Sequence, residues 1–214
     1  MQYVERSIES LDWITIILMA CVVLLAVLKG WYSNRFEDFI KLPFSKNYFI
    51  SKGKTETIKH PFNLLLFGIQ VFSISLFFYL FLFKENKSDP LLFLQLITGV
   101  LVFIIVKISI EKIIGNIFSI DIIIDQYVYE KLTYRNFLAI FLLLINFIFY
   151  YSISPSTNML IVFASVFGLL NIIIIYSSLK NYRSLLYGNF FYFLLYLCTL
   201  EISPYFIVYK ALID

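Results

Sequence analysis

FNLLLFGIQVFSISLFFYLFLFKENKSDPLLFLQLITGVLVFIIVKISI, residues 62–110, decides how this chain folds. Two apolar runs flank one short polar break, 84–90. A bilayer core of ~30 Å is crossed by about 20 apolar residues in a helix, so each run is long enough for one span and the break for one tight turn. The runs are continuously apolar, whereas strands of a membrane barrel alternate and last about 10 residues. The same pattern recurs outward in both directions. Candidate spans are 11–31, 62–83, 91–110, 137–154, 157–179 and 186–209. The expected fold is therefore all-α: a polytopic membrane bundle of six helices forming a single integral membrane domain over 1–214.

Composition agrees. The chain of 214 residues is 61% hydrophobic and 14% charged, against about 25% charged in soluble domains. Near the start, Glu5, Arg6 and Glu9 leave no basic region of the kind that opens a cleaved signal, so 11–31 is expected to stay as a span. A net charge of +3 with no Lys/Arg cluster on a soluble fold argues against nucleic acid as a partner.

The basic residues give the threading, because cytoplasmic loops concentrate Lys and Arg. Lys29, Arg35, Lys41, Lys46, Lys52, Lys54 and Lys59 surround the first break; Lys107, Lys112, Lys131 and Arg135 the third; Lys180 and Arg183 the fifth. The opposite side holds Arg6, Lys84, Lys87 and Lys210. Both termini are expected in the periplasm, with the first, third and fifth connections in the cytoplasm.

Two cytoplasmic segments stand out. In the loop 32–61, Phe36, Phe39, Phe44 and Tyr48 alternate with lysines, a composition suited to the headgroup zone or to a docking surface. In the segment 111–136 and just before it, Ile110, Ile113, Ile117, Ile120 and Ile124 recur at spacings that make one helical stripe. The third span is expected to continue as a helix past the membrane surface, or to bend onto it at Gly115, with the stripe packing on the bundle or on a partner. Lys107, Glu111, Asp121 and Asp125 fall together on another face of that helix, as a solvated or locally paired set.

Most catalytic chemistries lack their groups. His60 is the single histidine and stands before Pro61 at a span boundary, so zinc hydrolysis on HExxH and bis-histidine haem ligation have no ligand set. Phosphate-loop glycine motifs do not occur. Asp121 and Asp125 are too few oxygen ligands for a divalent cation site. No cofactor, metal site or catalytic residue is expected. Cys21 and Cys198 both lie in apolar runs and read as small hydrophobes. Gln70, Gln95, Asn146 and Asn171 are expected to bond between helices.

Glu201 is the exception inside the runs. It lies in the outer third of the sixth span, with Pro204 three residues later removing a helix hydrogen bond. An intramembrane carboxyl beside a broken helix suits either an assembly contact or a protonatable transport site.

RFEDFIKLPFSKNYF (35–49) and YRSLLYGNFFYFLLYLCTLEISPYFIVYK (182–210) resemble an uncharacterised family of small multi-pass inner-membrane proteins from Bacteroidota, known as a domain of unknown function. The resemblance implies a Gram-negative inner membrane and carries no activity. The function expected from the residues is a non-enzymatic subunit or scaffold. It would bind partner inner-membrane proteins in an envelope assembly such as export, secretion or a motor. The alternative is a small proton- or ion-coupled carrier or channel using Glu201.

Overall fold

A computed structural model of the chain describes residues 12–42, 60–83, 89–117 and 119–186, with side chains through 178. Six α-helices follow in order: α1 (Asp12–Trp31), α2 (Ser33–Ile40), α3 (Pro61–Leu82), α4 (Pro90–Ile117), α5 (Asp121–Phe147) and α6 (Thr157–Leu186). A π-helical turn, Ile148–Ser152, continues α5. Among the described residues there is no strand. Five segments are long and apolar enough to cross a membrane: Asp12–Trp31, Pro61–Leu82, Pro90–Ile117, Asp121–Ser152 and Thr157–Ser178. Each overlaps one of the first five expected runs, but the third continues seven residues past 110 and the fourth begins sixteen residues before 137. The sixth, 186–209, lies outside the described residues apart from Leu186, the last residue of α6.

α3 is the axis of the bundle. His60 caps it, its Nδ1 accepting from the Phe62 amide at 3.2 Å, and Pro61 fills the first helical position where no amide is required. More than half of its apolar window is buried (56%), against 6% for α6. α5, α4 and α1 all pack on α3, and α6 packs on α5. α1 runs antiparallel to α3, since Trp13 at its start meets Tyr79 and the residue after its end, Tyr32, meets Phe62. α5 runs parallel to α3. The Asn146 side-chain amide donates to the Ser73 carbonyl at 2.8 Å, and one turn on the Tyr150 hydroxyl donates to the Leu76 carbonyl at 2.9 Å.

The π-helical turn makes the second of those bonds possible. Ile153 donates to the Ile148 carbonyl at 2.9 Å, a wider ring than an α-turn. The extra residue lets Phe149 and Tyr150 both point inward while Tyr151 hydrogen-bonds the Thr15 hydroxyl on α1.

Aromatic clusters close both ends of the bundle. At one end Trp13, Tyr79 and Phe93 have ring centroids 5.1–5.7 Å apart, and the Tyr79 hydroxyl donates to the Asp89 carbonyl just before α4. At the other, Phe39 of α2 meets Phe62 and Phe137 edge-on at 6.0 and 5.9 Å. Phe39 is fully buried there. This corrects its reading as a headgroup-facing aromatic. α2 folds back against α3 and α5 and turns this ring into core, while Phe36 stays partly buried beside it.

Candidate functional site: the α4–α5 hairpin and its buried charges

The stripe from Ile110 to Ile124 does not lie on one helix. α4 stops at Ile117, and Ser119 takes a left-handed conformation at φ 55°. The Ile120 amide then bonds the Gly115 carbonyl at 2.9 Å, and the Ser119 amide bonds the Asn116 carbonyl at 3.2 Å. That pair of bonds is a Schellman ending, which satisfies carbonyls left open at the end of α4. α5 begins at Asp121 and returns along α4. The expected continuous extension over 111–136 is thus an antiparallel helical hairpin. Gly115 is not its bend. A Cβ there would lie 3.0 Å from the Ile124 Cβ, so glycine is what allows the two helices to approach.

The reversal sorts the isoleucines. Ile124 is buried with Tyr127, Val128 and Leu132, and Ile120 packs partly on that cluster. The seam of α4 is Ile104, Ile108, Glu111 and Gly115, at steps of four, three and four. Ile113 and Ile117 therefore face away from α5, 55% and 68% exposed, and Ile110 is half-buried. Ile122, at the start of α5, is 71% exposed.

The same reversal brings charges together across the helices. Lys131 of α5 forms an ion pair and hydrogen bond with the Glu111 carboxylate of α4, both side chains 2% exposed. The Lys131 ammonium also sits 4.9 Å from the centre of the Tyr127 ring. Nearer the turn, Lys112 and Asp125 pair at 2.7 Å, both half-exposed. Glu111 and Asp125, expected in one local set, each have a partner across the hairpin. The two pairs differ in worth. An exposed pair contributes ~0–1 kcal/mol. Removing one member of a buried pair costs ~3–5 kcal/mol, because it leaves an uncompensated charge out of water.

Seven consecutive residues, Tyr127 to Thr133, are buried, so α5 is enclosed on every side at this level. Glu130 is among them. Sequence reasoning placed Lys131 in a cytoplasmic connection and gave Glu130 no role. The available signal was the company they keep, Tyr127, Tyr129 and Tyr134, within a stretch free of glycine and proline from Asn116 to Ser154.

Farther along α5 the polar groups are neutral. Asn63, Gln70, Ser73 and Ser75 of α3 and Asn136 and Asn146 of α5 are buried. Asn146 bridges the helices as expected. Gln70 is fully buried, and neither of its amide atoms has a hydrogen-bond partner among the described residues. Asn171 bonds the Phe167 carbonyl of its own helix at 2.8 Å, and Gln95 is exposed, so neither bridges helices in the way expected. Cys21 is buried. Glu201, Pro204, Phe44, Tyr48 and Cys198 lie outside the described residues. Among the described residues no three His, Cys, Asp or Glu side chains converge on a metal position.

These features define a class: an all-helical protein of long apolar helices, joined by neutral polar contacts along its middle and by a buried ion pair in a hairpin at one end. The chain belongs to the family described as Domain of unknown function (DUF4271), whose match covers residues 14–212. No curated protein and no solved structure matches it.

Proposed function

We propose that this protein is a non-enzymatic subunit of a bacterial inner-membrane assembly that binds partner membrane proteins through the tip of the α4–α5 hairpin. Membrane residence is supported by the five long apolar helices. With 22 residues, α3 is about 33 Å long, close to one hydrocarbon thickness. In this reading 186–209 supplies a sixth span and both termini face the periplasm.

The hairpin is what carries the partner-binding reading. α4 has 28 residues and spans about 42 Å, well beyond one bilayer core. The parallel pairing of α3 with α5 sets Asn63 near Asn136, so roughly four turns of α5 precede the level where α3 begins. Tyr127–Thr133 are enclosed within that stretch, so only the turn end of the hairpin, about 112–126, stands at the edge of the bundle, on the side where basic residues collect. There Ile113, Ile117 and Ile122 present an exposed apolar surface held on a rigid support. Exposed apolar surface rimmed by charge is a mark of protein contact. The buried ion pair beneath it fixes the register of the support.

Affinity purification of the tagged full-length chain in mild detergent tests this. Stoichiometric partners are expected with the wild type and are expected to be lost from Ile113→Glu/Ile117→Glu at unchanged abundance. A solitary wild-type monomer would overturn the reading. Loss of proton or ion flux in Glu201→Gln, with assembly intact, would replace it by the carrier alternative.

A further inference from the structure

We propose that two copies of this chain associate in the membrane along the outer face of α4, where the Gln95 side chains of the two copies bond each other. α4 meets the bundle along Phe93, Ile104, Glu111 and Gly115, its buried residues. With about 100° between successive residues of a helix, Gln95, Gly99, Val102 and Val106 project from the side opposite that seam. All of them are exposed. In the membrane reading, on which this inference rests, that side faces lipid. Gln95 stands about 7.5 Å along α4 from Pro90 at 1.5 Å per residue, inside the hydrocarbon. Thr98, nearby on the same side, is satisfied by its own helix, since its hydroxyl donates toward the Leu94 and Gln95 carbonyls at 3.0 and 2.8 Å. The Gln95 carboxamide has a larger need, two N–H donors and a carbonyl acceptor, and lipid tails offer it neither kind of partner. Polar side chains within a membrane almost always face protein, where they bond across helices. An exposed carboxamide on a spanning helix therefore marks a contact with another helix.

Hydrogen-bond complementarity selects a second copy as that neighbour. A carboxamide carries donor and acceptor side by side, so two of them meet head to head through a pair of N–H···O bonds. Copies inserted with the same topology are related by a two-fold axis along the membrane normal, so each residue on the axis meets its own counterpart at its own depth. Gln95 thus finds the complementary group at the level where it needs one. Gly99, one turn on, has nothing within 4 Å of where a Cβ would stand. The two backbones can come close there, as small residues allow in membrane helix pairs. Such close pairs cross at about 40°, which carries the helices apart toward their ends. Ile113 and Ile117 lie about 21 Å or more along α4 from Gly99, so the hairpin tip stays clear for other proteins.

The test mixes donor-labelled and acceptor-labelled full-length chain in vesicles of phosphatidylethanolamine and phosphatidylglycerol. Energy transfer should fall as added lipid dilutes the protein, as for a reversible dimer. Gln95→Leu should move the midpoint about tenfold toward higher protein density, the equivalent of a hydrogen bond between membrane helices. Gly99→Val should move it in the same direction. Cross-linking reads the position. In a chain carrying Cys21→Ala and Cys198→Ala, Val102→Cys should give a disulfide-linked dimer, and Val162→Cys, exposed on α6, should not. Energy transfer no greater than chance at every density overturns the proposal, as does an unchanged midpoint in Gln95→Leu. With Cys198 restored, a link from Val102→Cys to Cys198 within one chain would put 186–209 on this face and overturn it as well. Ile113→Glu/Ile117→Glu should keep the dimer, so failure of partner binding and failure of self-association are separable.

Discussion

α5 holds its neighbours by two different means along its length. Its second half meets α3 through neutral groups, Asn146 on the Ser73 carbonyl and Tyr150 on the Leu76 carbonyl. Its first half meets α4 through a buried ion pair, Lys131 with Glu111. An unmet neutral polar group costs ~1–3 kcal/mol, less than an unpaired ion, and Gln70 and Ser73 Oγ have no partner among the described residues. In the charged half Glu111 Oε2 likewise has no hydrogen-bond partner among the described residues, and there the ion pair has more to offset, since the effective cost of desolvation is several kcal/mol per ion. The neutral half is adhesive and forgiving. The charged half acts as a register lock, strong when whole and costly when broken.

The largest effect should come from breaking that lock. Lys131→Met is expected to cost ~3–5 kcal/mol of unfolding free energy, followed by circular dichroism in mixed detergent. Glu111→Met/Lys131→Met should recover most of the loss, because no charge is then left buried. Additive losses in the double variant would remove the ion pair from its role. Next in size is the close approach beside it. Gly115→Val puts side-chain atoms where the Ile124 Cβ is already 3.0 Å from a modest Cβ, and overpacking of this kind costs ~1–3 kcal/mol. Adding Ile124→Ala should restore part of it. A harmless Gly115→Val would mean that the helices are not held this closely.

The neutral half should respond less. Asn146→Leu removes the bond to the Ser73 carbonyl, and hydrogen bonds between helices in lipid average ~0.6 kcal/mol with a ceiling near ~1.7. A loss in this range, beside several kcal/mol for Lys131→Met, would sustain the contrast between the two halves. Equal losses would abolish it.

The helices were legible in the sequence because long apolar runs report burial in any low-polarity medium, and the run 11–31 agrees with α1 at Asp12–Trp31 to one residue. His60 and Pro61 announced the start of α3 through ordinary capping chemistry. The hairpin was not legible. Its turn rests on Ser119, a residue that enters the left-handed region without the glycine that normally signals it, while the nearby Gly115 serves packing instead. Without the turn, Glu111 pairs on paper with Lys107 one helical turn away. With it, the partner is Lys131, a tertiary contact that no local spacing contains. The isoleucine spacing suggests one helical stripe, but Ile120 lies in the connection, and period says nothing about where a helix stops. Phe39 was misplaced for a similar reason: a ring between charges looks interfacial until its helix folds onto Phe62 and Phe137.

An effect of similar size probes the turn itself, and it has the opposite sign. A left-handed backbone costs an ordinary L-residue ~1–2 kcal/mol. Glycine avoids that cost and gives back ~0.5–1 kcal/mol through the greater freedom of its unfolded chain. Ser119→Gly should therefore raise stability by about 0.5–1 kcal/mol. Ser119→Pro should do the reverse, since its φ is fixed near −65° and it lacks the amide that bonds the Asn116 carbonyl. The proline variant should also weaken the coupling between Glu111 and Lys131, because the pair meets only when the turn closes. A gain from Ser119→Gly with unchanged Glu111–Lys131 coupling would place the turn and the ion pair in one closed hairpin. A loss from Ser119→Gly would mean that another conformation joins α4 to α5, and the register argued from the ion pair would then need a different origin.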